Sequence, residues 1–404
     1  MINESDFNFN LRSNPQMQEF LYEFLGLEPL TEPNKKTGNY KTDEATIIHY
    51  AENQNIKFCK LLLQYRKLNK ALNTYIADLK RNVSEHDGRV HHELWLNVAE
   101  TYRSSSSDPN LQNQPKHGDI LPNLPWKTIR KVFVCLGKGW LICEFDYDGA
   151  EVKVAGMLGN DPQMIEDLNN DLDMHSHWAI KLFGLKGYSY EQVKEKFGDN
   201  ERFLAKNNFT FANFFGAGFS SIAEEMRKSD FYKDFVYNIY NQRKTKHEAF
   251  DHYFFNFSQN HIKDCQNQFY ERYHIYKAYQ DAIVDKYYKT GYVENPFGFR
   301  RRFPLTRNEI INYPIQSTSF LLLLDSLINI EDELEKGGWE SHLINQIHDS
   351  GKANLRTYEG GDFIDMVDEK MTDKPHLPWT TTVRMKTDWE VGKNWLDMKR
   401  IKTN

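Results

Sequence analysis

Hydrophobic and polar positions follow two different rhythms along the chain. Pro15-Gln-Met-Gln-Glu-Phe-Leu-Tyr-Glu-Phe-Leu25 and Ile56-Lys-Phe-Cys-Lys-Leu-Leu-Leu-Gln-Tyr-Arg-Lys-Leu68 carry apolar residues at the three-and-four spacing of a helix. Residues from about 15 to 83 are therefore predicted to be mostly helical, interrupted by the polar, turn-rich stretch TEPNKKTGNYKTDE. Residues 90–156 change to short apolar runs, which predict strands at Val90–Val98, Arg130–Val134 and Trp140–Asp146. From 160 to 290 the helical rhythm returns, rich in Tyr, Phe and Lys, and 227–262 reads as a polar, aromatic insertion. After Gly291 come short strands, one long helix at Ser317–Glu335 and a strand at Ser341–His348. Two strand-bearing segments thus flank a helical block, with another helical block in front, which makes an α+β centre with two helical appendages.

Composition narrows this picture only a little. The 404 residues are 40 % apolar and 14 % aromatic, enough for two or three packed subdomains. A formal net charge of −6 and a pI near 6.2 argue weakly against nucleic acid. That argument fails if basic residues cluster, because a binding channel needs only a local positive field. Cys59, Cys135, Cys143 and Cys265 form no CxxC pair and no His/Cys metal spacing, the pattern of reduced cytosolic thiols. The opening MINESDFNFNLRS has no signal-peptide core, and the apolar run Phe320–Leu324 is far too short to span a bilayer. No membrane partner is expected, and a cytoplasmic location is.

Candidate chemistry gathers where a strand gives way to a helix. The stretch CEFDYDGAEVKVAGM, residues 143–157, sets Asp146, Asp148 and Glu151 at that junction. The strand Leu141–Phe145 ends in Asp146, and a second apolar strand, Leu343-Ile-Asn-Gln-Ile-His-Asp349, ends in Asp349. If these strands are neighbours, two carboxylates meet at one point. A pair of aspartates can hold two Mg²⁺ ions that clamp the attacking and leaving oxygens of a phosphoryl transfer. Mg²⁺ asks for one or two carboxylates plus substrate phosphates, so a sparse set suffices. The competing reading makes Asp146 a helix cap and His348-Asp349 a plain turn.

Further blocks decide between them. Asp146-Tyr-Asp-Gly-Ala-Glu151 resembles the first catalytic motif of family A DNA polymerases, DYSxxE, and Ile347-His-Asp349 resembles their third, VHDE. Between and before them, in the family's order, Tyr102–Asn113 resembles GRLSSTDPNLQN. Glu201–Lys206 with Phe214-Phe-Gly-Ala-Gly218 resembles the R-x3-K motif and its downstream aromatic-Gly. Asn312-Tyr-Pro-Ile-Gln-Ser-Thr318 resembles NxPIQGTA, and Glu390–Trp395 the family's usual ending. The resemblance runs from about residue 10 to 398. It implies a right-hand fold with an antiparallel-sheet palm and helical thumb and fingers. The thumb would be 1–100, the palm 101–160 and 300–404, and the fingers 161–299.

The resemblance implies a DNA-directed DNA polymerase that transfers a deoxynucleotide to a primer 3′-hydroxyl. Primer–template DNA and dNTPs would be its partners, with two Mg²⁺ ions, or Mn²⁺ in their place, as cofactors. Asp146, Asp349 and the carbonyl of Tyr147 would hold the metals. Glu151 would be the steric gate against a 2′-hydroxyl, where its bland reading is a first-turn helix glutamate. Arg202 and Lys206, at i and i+4, would face the triphosphate, with Lys206 protonating the leaving pyrophosphate and His175 joining them. Arg103, Asn312 and Gln316 would meet the primer–template end, whose minor-groove acceptors are nearly the same for every correct pair. His348 would lie near the primer terminus, and Arg301, within Arg300–Arg302, would meet template phosphate.

Four departures from the pattern stand out. Lys206 to Gly216 spans ten positions where the family has nine. Anchoring on the lysine selects Thr210 and Phe214 as base-side residues, and anchoring on the glycine selects Phe211 and Phe215, which are preferred here. Ser350 replaces the glutamate that usually follows the third motif, which predicts altered metal use. Phe299 is inserted in a GRRxxxP-like turn. Thumb-like sequence starts within the first 20 residues with no DxE exonuclease motif before it, so proofreading is expected to be absent or supplied by a separate subunit or other replisome protein, as in a phage system. A catalytically silent DNA-binding relative and a single-subunit RNA polymerase stay open as alternatives.

Overall fold

The alternation of Trp140–Tyr147 becomes strand β1, the middle of a five-stranded antiparallel sheet. A computed structural model describes residues 9–116, 118–243 and 250–402. The N-terminal segment discussed above therefore lies partly, and the 227–262 segment at 244–249, outside the described residues. Two compact units emerge: residues up to Glu93 with Ser106–Phe133, and Leu94–Ser105 with Val134 onward.

In the first unit, helices Asn14–Gln18, Glu44–Glu52 and Lys57–Lys70 close on Met17, Leu21, Ile47, Tyr50, Cys59 and Leu62. A smaller cluster joins Ala71 to Ile120 and Ile129.

In the second unit the sheet adds β2 (His342–Ile347), β3 (Ser350–Arg356), β4 (Thr387–Gly392) and β5 (Lys399–Ile401), in the order β5-β4-β1-β3-β2. The period of two along β1 sends Cys143, Phe145 and Tyr147 into the core, where Phe145 packs on Trp389 at 5.3 Å. Glu144 and Asp146 stand on the opposite face, across from Lys352 and Ser350 of β3 and from Glu390 and Asp388 of β4.

The rest of this unit is mostly helical. The chain leaves β1 through Gly149, at φ +65°, into the buried helix α1 (Ala150–Gly159). Helix α2 (Met174–Phe183) is capped by Asp173. Helix α3 runs from Glu201–Leu204 through a π-helical stretch, Ala205–Thr210, to Phe211–Phe214. The long helices α4 (Phe250–Arg272) and α5 (His274–Thr290) follow. Buried polar ties hold these together. Asp161 accepts from the backbone of Gln163 and Met164 and, at 3.0 Å, from Ile275 and Tyr276. Gln266 of α4 donates to Asn213 at 2.7 Å, and the Tyr276 hydroxyl donates to the Phe214 carbonyl at 2.6 Å. These bonds tie the C-terminal end of α3 to α4 and α5.

Three expectations need correcting. Arg130–Val134 is not a strand: Trp126–Val132 coils into a 3₁₀ helix, because Arg130 donates to the carbonyls of Gln114 and Pro115 and Ile129 turns into the small cluster. Of Val90–Val98, only Glu93–Trp95 is a strand. The long helix, α6, runs from Arg307 to Gly337, well before Ser317, since Thr306 and Glu309 form a capping box and Pro314 is tolerated inside it.

Gly351, on β3 beside Phe145, shows how closely the sheet packs. A Cβ there would lie 2.3 and 2.4 Å from Phe145 ring atoms. Gly351→Ala is expected to lower stability by about 1–3 kcal/mol, read as a shifted urea midpoint. Phe145→Leu in the same chain should recover part of the loss.

Candidate active site

The register of the sheet brings the two aspartates together. Asp146 pairs with Ser350 on β3, and Ile347 of β2 pairs with the same Ser350, so β2 and β3 are joined by a two-residue turn of His348 and Asp349. Asp349 is therefore one residue from Asp146's cross-strand partner. His348 takes φ +53°, a conformation unusual for a side-chain-bearing residue. Its carbonyl accepts from the Gln346 amide at 2.6 Å, and Ser104 bonds Gln346 in turn.

Asp146 Oδ1 is buried without a hydrogen-bond partner. Burial, then the charges of Asp349, Glu144 and Asp388, push its carboxyl up to about 8. Burial and three carboxylates thus dominate at this carboxyl, and a divalent cation between Asp146 and Asp349 would offset them. Among the described residues no cluster of three or more His, Cys, Asp or Glu has metal-holding geometry. Asp146, Asp349 and the main chain of Tyr147 would be the donors offered to a cation; the Tyr147 hydroxyl is anchored to Ser326 and the Met371 carbonyl at 2.8 Å each. That set fits Mg²⁺, which keeps water and substrate oxygens in its shell.

Around this pair, Glu151 opens α1 and forms an ion pair with Arg103. Burial raises the Glu151 carboxyl, Arg103 opposes that, and Asp349 adds to it, so Glu151 feels the aspartate site. Arg103, expected at the primer–template end, is engaged by Glu151 here. On α6, Asn312 and Gln316 are half-exposed while Ile310, Ile311 and the residues between and after them through Leu323 are buried, which presents one i, i+4 stripe.

The cationic cluster sits on α2 and α3. Arg202 grips Asp173 through two 3.1 Å bonds and also donates to Ser176. It therefore braces the cap of α2 and is not free. Lys206 has no carboxylate within ion-pair reach among the described residues and lies 5.8 Å over the Phe211 ring. His175 packs on Phe211 at 5.5 Å with Nδ1 buried and unpartnered. Burial, then Lys206 and Arg202, pull it down to about 4, so at neutral pH it is an uncharged donor and acceptor. Asp148 also acts on His175, which ties this cluster to the strand–helix junction.

A π-helical turn absorbs one residue without breaking the helix. The one at Ala205–Thr210 overlaps the ten-position interval noted above. Beyond it Phe211 and Phe215 are half-exposed and stacked at 6.0 Å, whereas Thr210 and Phe214 are buried. In the basic turn, Arg301 has a 12 % exposed side chain bound to Glu100 and Glu309. Arg300 and Arg302 are the exposed members and flank Tyr292.

The sequence reading missed Glu144 and Lys352. Lys352 forms a buried ion pair with Glu144, which also accepts from Ser350 Oγ at 3.1 Å and Trp395 Nε1 at 3.3 Å. Burial pushes Glu144 up, yet these partners hold it below the usual carboxylate range. The one available signal was the period of two from Asp146 back to Glu144.

Comparison with known proteins matches residues 1–397 to DNA polymerase family A. DNA polymerase I of Pseudomonas aeruginosa is 27 % identical over 96 % of this chain and 38 % of its own length. The thermostable DNA polymerase I of Thermus thermophilus is 25 % identical over 97 % of this chain and 42 % of its own. The chain thus spans about two-fifths of these relatives. A solved structure described as the POL domain of Pol1 from M. smegmatis in complex with DNA primer-template and dNTP matches with a TM-score of 0.73. It is 23 % identical and covers 96 % of this chain and 61 % of that one. This likeness shows the fold, an α+β right hand with an antiparallel-sheet palm and helical thumb and fingers.

The raised Asp146 carboxyl has a signed consequence. Its proton is held more tightly folded than unfolded, so without cations stability falls as pH rises from about 4 through its folded value of about 8. In EDTA, Asp146→Asn should melt above wild type at pH 8, by roughly 1–2 °C for each kcal/mol of ionisation cost, with the gap closing near pH 5. Mg²⁺ should raise the wild-type Tm and leave the variant's unchanged.

Proposed function

The chain belongs to DNA polymerase family A, and from that premise we propose that it is a DNA-directed DNA polymerase module. The observation that carries this is the Asp146 carboxylate, whose Oδ1 is buried without a hydrogen-bond partner and whose carboxyl is raised first by burial and then by the charge of Asp349. Residues 1–100 would act as the thumb, 101–160 and 300–404 as the palm and 161–299 as the fingers. The substrates would be primer–template DNA and dNTPs. The setting would be the cytoplasm of a bacterium or a phage-infected cell. No helix among the described residues is long and apolar enough to cross a membrane.

Asp146, Asp349 and the Tyr147 carbonyl would hold two divalent ions, Mg²⁺ or Mn²⁺. Bound there, such ions activate the primer 3′-hydroxyl and offset charge on the departing pyrophosphate. The chain's own residues do the rest. Lys206, with no carboxylate in ion-pair reach among the described residues, binds triphosphate oxygens and carries a proton for the leaving pyrophosphate. Neutral His175 donates a hydrogen bond to the same phosphates. Arg202 adds positive potential and keeps α2 capped, so that His175 stays in place. Phe211 and Phe215 offer a stacked, half-exposed surface to the incoming base. Glu151, held by Arg103, crowds the sugar's 2′ position and excludes ribonucleotides. Asn312 and Gln316 read the minor-groove edge for pair geometry, Arg103 joins them, and His348 supports the primer terminus. Arg300 and Arg302 meet template phosphate, while Arg301 holds their turn by its two carboxylates.

Primer extension with Mg²⁺ tests this reading. Wild type should extend a templated primer with dNTPs, and Asp349→Ala should lose at least about a hundredfold in rate, since it gives up several kcal/mol of charge stabilisation. Glu151→Ala should accept NTPs that wild type refuses. Tight primer–template binding without extension would instead mark a silent DNA-binding relative, and equal use of NTPs by wild type an RNA polymerase.

A further inference from the structure

The ion pair of Lys352 and Glu144 takes no part in the chemistry above, yet it occupies the same sheet face as Asp146. The Lys352 side chain is 3 % exposed and its ammonium also lies 4.3 Å over the Trp395 ring. Burying an ammonium is expensive, and apolar residues of similar volume often stabilise a fold as well as a buried ion pair does. Stability alone therefore does not account for a lysine here.

Position does. Glu144 and Asp146 are two residues apart on β1, directly opposite Lys352 and Ser350 on β3. From the other side β4 contributes Glu390 and Asp388, the latter paired with Arg400 of β5, and the β2–β3 turn contributes Asp349. Lys352 is thus a fixed positive charge facing a site built for divalent cations. Glu144 receives that charge. It also accepts from Ser350 Oγ, which offers the same hydrogen to the Ile347 carbonyl at the mouth of the Asp349 turn. The family pattern has a glutamate where this chain has Ser350, and the carboxylate at this spot comes from the neighbouring strand instead.

We propose that the Glu144–Lys352 pair sets the cation affinity of the Asp146–Asp349 site. Lys352 weakens cation binding through its charge, and Glu144 is a positioning residue that neutralises Lys352 and so restores binding. The inference rests on the aspartates being cation ligands, as the polymerase reading has them, but it is tested on cation binding itself.

The test is Mn²⁺ titration followed by the electron-spin resonance of free Mn²⁺, on wild type, Glu144→Gln, Lys352→Met and the double variant, with Mg²⁺ dependence of primer extension alongside. Glu144→Gln leaves the ammonium uncompensated and should weaken binding about tenfold, as one added charge at this range implies. Lys352→Met frees a carboxylate beside Asp146 and should tighten binding severalfold. The double variant should return to within about threefold of wild type, since the two changes share one interaction. A merely structural pair would move both single variants in the same direction, and that result, or no change in any variant, overturns the proposal. If Lys352→Met does not fold, the double variant decides, because a pair of neutral residues is expected to fold. Binding as weak as that of Glu144→Gln would then refute the idea. Opposite shifts in Mn²⁺ binding with no extension by wild type would sink the polymerase reading and leave this one standing.

Discussion

Like charges held close together in a half-dry crevice repel, and only a positive partner makes the arrangement favourable. The fold enforces that arrangement at Asp146 and Asp349. Antiparallel pairing of β1 with β3 places Asp146 across from Ser350, and a two-residue turn leaves Asp349 no freedom to move away. Slipping the register by one residue would send Phe145 to the polar face and Asp146 into the core. The hydrophobic face therefore secures the acidic one: Phe145, Trp389 and the close approach at Gly351 hold the strands where the carboxylates must meet.

The second half of the site depends on a different constraint. Helix α3 must satisfy the core through Phe209 and Phe214 and yet present Lys206, Phe211 and Phe215 outward. A regular helix rotates by a fixed angle per residue, so one surplus residue would turn the wrong side chains out. The π-helical stretch absorbs the surplus, and the ties from Gln266 and Tyr276 hold the C-terminal end against α4 and α5. The Arg202–Asp173 bond does the same at the N-terminal end by joining α3 to the cap of α2.

Much of this was legible in the sequence, and the parts that were not share a cause. Chemical motifs are local: Asp146-Tyr-Asp-Gly-Ala-Glu151 and Ile347-His-Asp349 carry their residue types in a few positions each, and their order along the chain needs no structure to read. The helical blocks were likewise visible, because periodicity is local. Arg130–Val134 failed for the opposite reason. Its apolar residues fit a strand, but Arg130's bonds to Gln114 and Pro115 are made at a distance. The Glu144–Lys352 pair was invisible in the same way, since the partners lie 208 residues apart and meet only through strand register. The Arg301–Glu100 ion pair was equally invisible, its partners lying 201 residues apart.

Charge distribution connects these observations. The chain carries a formal charge of −6, and the site concentrates carboxylates where a negatively charged substrate would have to approach. That would be self-defeating in a binding protein that worked through charge alone. It would be coherent in the proposed polymerase, where cations held by Asp146 and Asp349 would reverse the local sign. Asp146 Oδ1 is buried and has no hydrogen-bond partner, so a charge placed against it would be little screened by water. On the proposal above, Lys352 would act from the other direction, limiting how tightly so acidic a site holds cations that substrate oxygens must share.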